Sequence, residues 1–147
     1  MIRHAVAVTL AVITLIVTGC ATAPVASSDL DQAAKTFAAK PGKANIYVYR
    51  NEHIGAAVGM EVILNGRLMG KTGAQSYFLF EVSPGKHALL SRAENDSGLD
   101  VVVESGRNYF VWQEVKMGLL YARTLLQIVD EATGRAGVKE CQLLELR

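Results

Sequence analysis

The feature that most limits how this chain can fold is a set of tight-turn dipeptides placed between short runs of alternating apolar residues. Asn65-Gly66, Pro84-Gly85 and Ser105-Gly106 follow one another at intervals of 19 and 21 residues. Asn-Gly is a strong two-residue hairpin signal, because both positions tolerate positive φ. The runs between the turns read as strands. Ala44–Arg50 alternates Ile46 and Val48 with Tyr47 and Tyr49, and Val58–Leu64 and Arg67–Lys71 flank the Asn-Gly turn. Tyr77–Val82 places Phe78, Phe80 and Val82 on one face, and His87–Ser91 follows Pro-Gly. Leu99–Glu104 turns Leu99, Val101 and Val103 inward and Asp100 and Glu104 outward, and Tyr109–Lys116 and Leu125–Val129 complete the set. Ala93–Gly98 reads as a polar loop, and Gly118–Ala122 fits neither pattern. Short strands at this spacing predict an all-β sandwich or barrel.

Two helices are expected beside the strands. Leu30, Ala33 or Ala34, and Phe37 share a stripe in 28–38, with Ser28 as cap and a stop before Pro41-Gly42. Asp130 caps a second helix, Glu131 to about Lys139, which Gly134 and Gly137 weaken. The sandwich domain is placed at 44–147, preceded by a segment at 20–43 that reads as a tether carrying the short helix.

Residues 1–19 are of a different kind. Thirteen of them are hydrophobic, Arg3 is the only charged side chain, and the apolar stretch Ala5–Val17 is broken only by Thr9 and Thr14. A short basic start, an apolar stretch and small residues form the layout of a secretory signal peptide. The stretch is shorter than the roughly 18 residues a transmembrane span requires. It ends at Val17-Thr18-Gly19-Cys20, which resembles the lipobox of bacterial lipoproteins, with Val17 where Leu is commonest. The resemblance implies cleavage before Cys20 and an acylated Cys20, with palmitate among its acyl chains. The alternative is ordinary cleavage near Ala21 or Ala23. By resemblance to Gram-negative lipoproteins, Ala21 rather than Asp after the cysteine implies the outer membrane, facing the periplasm.

Removal of 1–19 would leave 128 residues with fourteen basic and fourteen acidic side chains. That balance excludes the basic footprint of a nucleic-acid binder. Cys141 would then be the one cysteine besides Cys20. It reads as a small buried hydrophobe, with an intermolecular disulfide as the alternative.

Three stretches, Val62–Gly70, Glu81–His87 and Val101–Gly106, resemble the PEGA-type β domain, an Ig-like sandwich. Lys43–Arg50, Ser76-Tyr77-Phe78, Pro84–His87, Gly106–Phe110 and Val129–Arg135 ahead of Cys141 resemble a family of small proteobacterial lipoproteins of unknown function, over roughly residues 15–145. The resemblance implies a surface-anchored β-sandwich used as an accessory or interaction module, and supplies no catalytic residue.

His87, at a strand start after Pro84-Gly85, fits a turn-packing role. His53 beside Glu52 is the one pair that suggests a metal or a general base, without the further ligands that a metal site needs. Gly70-Lys71-Thr72 ends like a phosphate loop, but Asn65 stands where its first glycine is required. Asp130-Glu131 fits helix capping better than acid–base work. If Ile46 and Val48 face the core, Tyr47 and Tyr49 share the other sheet face, which could bind glycan or a partner strand unless it is covered; Trp112 shares the strand face of Phe110 and is expected to pack in the core. The expectation is a non-catalytic envelope lipoprotein, with no cofactor, no metal and no nucleic-acid partner. It is held to the membrane through Cys20, with an envelope protein or peptidoglycan as partner. The alternative is an envelope hydrolase or metal-dependent enzyme using His53 and a nearby carboxylate.

Overall fold

The computed structural model describes residues 22–147. The readings made on residues 1–19 and on Cys20 lie outside the described residues.

Nine strands form two sheets. Strands β1 (Ala44–Arg50), β4 (Ser76–Val82), β7 (Asn108–Met117), β8 (Ala122–Val129) and β9 (Gln142–Leu143) make a five-stranded sheet ordered β8-β7-β1-β4-β9. Strands β2 (Met60–Leu64), β3 (Arg67–Thr72), β5 (Gly85–Arg92) and β6 (Asp96–Val103) make a four-stranded sheet ordered β3-β2-β5-β6. The pairs β1–β7 and β4–β9 are parallel and the others antiparallel. Helices α1 (Ser28–Ala34) and α2 (Glu131–Lys139) cover the outer face of the five-stranded sheet. The expected all-β sandwich with a short N-terminal and a C-terminal helix is the architecture found.

Alternation along β1 explains the layers. All seven of its residues are buried, so both faces are covered. Ile46 and Val48 join Phe78, Phe80, Val111 and Leu126 against Val62, Leu89, Val101 and Val103 of the facing sheet. Tyr47 and Tyr49 join Tyr77 and Phe110 on the opposite face, under Ala34, Phe37, Val138 and Cys141. Trp112 packs against this second cluster. The tyrosine face is therefore not a free surface for glycan or a partner strand: Tyr47 and Tyr77 are 0% exposed. Burial pushes the Tyr47 and Tyr49 phenols up to about 12.

The two glycines read as weak points of α2 are what let it close this face. A Cβ on Gly134 would lie 2.1 Å from the Phe110 ring, and one on Gly137 would lie 2.2 Å from the Tyr49 ring. The helix gives up propensity for a close approach to aromatic rings. Its start is as expected, with the Asp130 carboxylate accepting from the Thr133 amide at 2.9 Å.

The other differences from expectation are local. Helix α1 is capped by Ser27, one residue before the expected Ser28, and the Ser27 Oγ accepts from the Leu30 amide. It ends at Ala34 because Phe37 turns to φ 57° and drops its ring onto Tyr47, 5.3 Å between centroids. Residues 22–43, expected as a tether whose short helix docks weakly on the domain through Phe37, lie packed on the sandwich along more of their length. The Ala23 amide donates to the Lys71 carbonyl, Val25 bridges Leu144, and Asp31 accepts from the Leu143 amide and the Tyr77 hydroxyl at 2.9 Å each. Burial pushes the Asp31 carboxyl up, but these donors and Lys35 outweigh it and hold it below the usual range. Asp96–Gly98, expected in a loop, begin β6, because the β5–β6 hairpin turns more tightly, at Ala93–Asn95. Among the described residues, no helix is long and apolar enough to cross a membrane.

Candidate functional site

Because β1 and β7 run parallel, both finish at the same end of the sandwich. Residues 51–59, 73–75, 93–95 and 118–121 gather there as the loop end. The opposite, turn end carries Asn65-Gly66, Ser83-Pro84 and residues 104–107.

His87 belongs to the turn end. Its Nδ1 accepts from Asn65 Nδ2 at 2.9 Å, and its Nε2–H donates to the Ser83 carbonyl at 2.8 Å. Asn65 Oδ1 in turn accepts from the Ala88 amide at 2.9 Å. The ring laces the β2–β3 hairpin turn to the β4–β5 crossover between the sheets, which is the turn-packing role expected of it.

The loop end rests on buried polar groups. Arg50 closes β1 with 0% exposure. Its guanidinium donates to the carbonyls of Gly55 at 2.6 Å and Val58 at 2.7 Å, with longer contacts to Ile54 and Thr72. It thus folds residues 54–58 over the end of the sheet. Desolvation pulls the Arg50 pKa down, and the nearby Glu52 carboxylate opposes that shift. Glu52 itself turns inward, its Oε1 accepting from the Val115 amide at 3.3 Å. Gly55 takes φ +67°, and a Cβ there would press on Ala122 and Val115 at 3.2 Å each, so the loop lies flat on the β7–β8 hairpin.

Beneath the loops, a polar chain ties the two sheets together. Thr72 Oγ1 donates to Gln113 Oε1, Gln113 Nε2 donates to Ser91 Oγ at 2.7 Å, and Ser91 Oγ meets Thr124 Oγ1 at 2.7 Å. All four residues are buried. Each polar group has a partner, as burial requires.

Glu94 builds the most unusual part of this end. Its carboxylate accepts from three successive amides at the tip of the β7–β8 hairpin: Leu119 at 2.8 Å, and Leu120 and Tyr121 at 2.9 Å each. These donors hold the Glu94 carboxyl below its usual range. Gly118 is required here, because a Cβ would lie 2.2 Å from the Tyr121 carbonyl and 2.4 Å from the carboxylate. With its backbone so bound, the tip turns its side chains outward. Met117 is 83% exposed, Leu119 91%, Leu120 84% and Tyr121 50%. Four of the eleven large apolar side chains exposed among the described residues fall in this pentapeptide.

Beside the tip lies a groove of about 570 Å3, bounded by Val58, Glu61, Lys71, Arg92, Asp96 and Tyr121. Its charges are matched, Lys71 with Glu61 at 3.9 Å and Arg92 with Asp96 at 3.5 Å. A second groove of about 820 Å3 follows α1 and is mainly apolar, with Leu30, Ala33, Leu79, Leu143 and Leu146 in its wall. His53 is exposed and lines neither groove. Glu52 points away from the surface that His53 occupies, so the structure does not bring that pair together. Among the described residues, no group of three or more His, Cys, Asp or Glu could hold a metal ion. Cys141 is a buried free thiol whose Sγ donates to the Arg50 carbonyl at 3.4 Å, and burial pushes its pKa up to about 12. A thiol held so far from its thiolate is a poor nucleophile.

Arg50, Glu94 and the tip were not among the residues singled out from sequence. The signal for the tip was present: Met117-Gly118-Leu119-Leu120-Tyr121 sets apolar residues where a hairpin turn calls for polar ones.

Residues 40–124 match the family described as Protein of unknown function (DUF2846), and the chain belongs to that family. An uncharacterized protein of Haemophilus influenzae (strain ATCC 51907 / DSM 11121 / KW20 / Rd) is 28% identical over 133 residues, spanning 89% of this chain and 79% of the relative.

Proposed function

We propose that this member of the family is a lipid-anchored, non-catalytic accessory module of the bacterial cell envelope. Acylated Cys20 holds it to the outer membrane, facing the periplasm, and a PEGA-like sandwich meets an envelope protein or peptidoglycan. The observation that carries the reading is the order of the chain. An export-type apolar segment ends at Val17-Thr18-Gly19-Cys20, and a residue bonded into the sandwich, Ala23, follows only three positions later. Acyl chains contribute about 0.8 kcal/mol per buried CH2, so several chains on one cysteine keep such a domain at a bilayer. The surfaces available to a partner are the apolar groove along α1 and the loop end.

Intact-mass measurement of the protein purified from membranes tests the anchor. The expected result is a chain starting at Cys20 with acyl mass on that residue. A Cys20→Ala protein that still incorporates radiolabelled palmitate would refute the assignment. Capture from detergent-solubilised envelopes and sedimentation with purified peptidoglycan test the partner. If both came back empty, the interaction role would fall while the anchor stood.

A further inference from the structure

The loop end holds the exposed tip, and the start of the described chain leads to that same end. The Ala23 amide bonds to the Lys71 carbonyl, and Thr22 lies against Gly73, where a Cβ would be 2.8 Å from its methyl group. One step back along the chain thus moves it from Lys71 to Gly73, toward the loop end. Lys71 and Tyr121 border opposite sides of one groove that crosses the four-stranded sheet from β3 to β6, so the chain enters at the same end as the tip, across the groove from it. Cys20 is two residues before Thr22, a reach of at most about 7 Å fully extended.

We infer that the β7–β8 tip is a membrane-contacting loop: Met117, Leu119 and Leu120 enter the interfacial region of the bilayer that carries the Cys20 acyl chains, with Tyr121 at headgroup level. The inference rests on the lipid-anchor reading and adds a second, non-covalent contact that orients the domain loop-end down. Three observations fit this occupant. The side chains are large and apolar, with a tyrosine at the edge, the arrangement favoured at membrane interfaces. The amides of Leu119, Leu120 and Tyr121 are bonded to Glu94, so the tip can leave water without stranding those donors, as hydrocarbon demands. Ile54, 62% exposed on the loop flattened against the hairpin base, enlarges the same surface. Nearby cations are paired: Lys116 with Glu114, Arg123 with Glu94 and Arg92 with Asp96. Contact is therefore apolar rather than electrostatic.

The test uses the full, acylated chain in vesicles of phosphatidylethanolamine and phosphatidylglycerol, with an environment-sensitive fluorophore on Leu119→Cys. A second label on Met117→Cys guards against local damage, and one on Arg107→Cys reports the turn end. The expected result is a blue shift and quenching by brominated lipid at 119 and 117, with none at 107. Replacing phosphatidylglycerol by phosphatidylcholine should leave the signal unchanged. An acylated, vesicle-bound protein whose 119 and 117 labels stay in water would overturn the insertion and leave the anchor standing. Labels already shielded without vesicles, in a concentration-dependent way, would assign the tip to a second copy of the chain instead. A chain without acyl mass on Cys20 would overturn the anchor and the insertion with it.

Discussion

The two ends of this sandwich solve the same problem in opposite ways. At the turn end, the strands are joined by corners of two to four residues, and the polar side chains of Asn65 and His87 satisfy one another and the local backbone. At the loop end, satisfaction is pushed inside: Arg50, Gln113, Thr72 and Glu94 spend their hydrogen-bonding capacity on buried or backbone partners. The hairpin tip left exposed there is apolar. One end is polar outside and lightly braced, whereas the other is braced by polar groups underneath and carries an apolar tip. The difference teaches that the loop end is held in shape for something beyond stability, since a hairpin turn need not display leucines.

Removing the deepest brace should have the largest effect. Arg50→Met strands the carbonyls of Gly55 and Val58, and unfolding by denaturant should show a loss of about 3–5 kcal/mol. A loss below about 1 kcal/mol would mean that the loop end is not organised from within. Gln113→Ala removes one hydrogen bond from each of the Thr72 and Ser91 hydroxyls, breaks the tie between the sheets and opens a cavity there. The same measurement should give a loss of about 2–4 kcal/mol. At the turn end, His87→Ala should cost only about 1 kcal/mol, because its neighbours can bond water instead. A larger cost than that of Gln113→Ala would reverse the comparison.

Acid should release the tip. The folded Glu94 pKa is held below its ordinary, unfolded value by the three tip amides. Its contribution is therefore complete above that value and is lost as pH falls through the folded one. Amide exchange at Leu119, Leu120 and Tyr121 should accelerate on acidification relative to the other β7–β8 amides, after correction for intrinsic rates. Unchanged relative protection would show that the carboxylate does not clamp the tip. The smallest effect is expected for Leu119→Ser with Leu120→Ser. Both side chains are exposed, so the melting curve should shift by no more than about 0.5 kcal/mol. A clear destabilisation would mean that these side chains serve the fold rather than a surface.

Strand positions were legible because the determinants are local. Asn65-Gly66 is a hairpin turn, with φ of 50° and 81° at its two residues, and Asp130 caps α2 at the expected residue. What escaped depends on contacts across the chain. Gln142–Leu143 becomes a strand only because Ser76 and Tyr77 offer an open edge, and a two-residue strand has no periodicity to read. Gly134 and Gly137 look unfavourable until Phe110 and Tyr49 are known to lie beneath them. An arginine ending a strand is ordinarily solvent-exposed, and nothing in Tyr49-Arg50-Asn51 reveals that Arg50 turns inward. At the candidate site, the apolar tip was visible as a sequence anomaly, but Glu94, which gives it its shape, lies 25 residues before Leu119.

The parallel pairing of β1 with β7 also governs time. Asn45 pairs with Asn108, and the other neighbour of β1 begins only at Ser76. The strand at the centre of the main sheet has no partner nearby in sequence, so no local hairpin can include it. Topologies dominated by such distant pairings fold slowly, on the scale of milliseconds to seconds. Most of the chain must be present before the core can close, and the last stitch, Val25 against Leu144, joins the two ends of the described chain. Late closure of this kind would suit the export proposed above, because an unfolded chain stays threadable for longer.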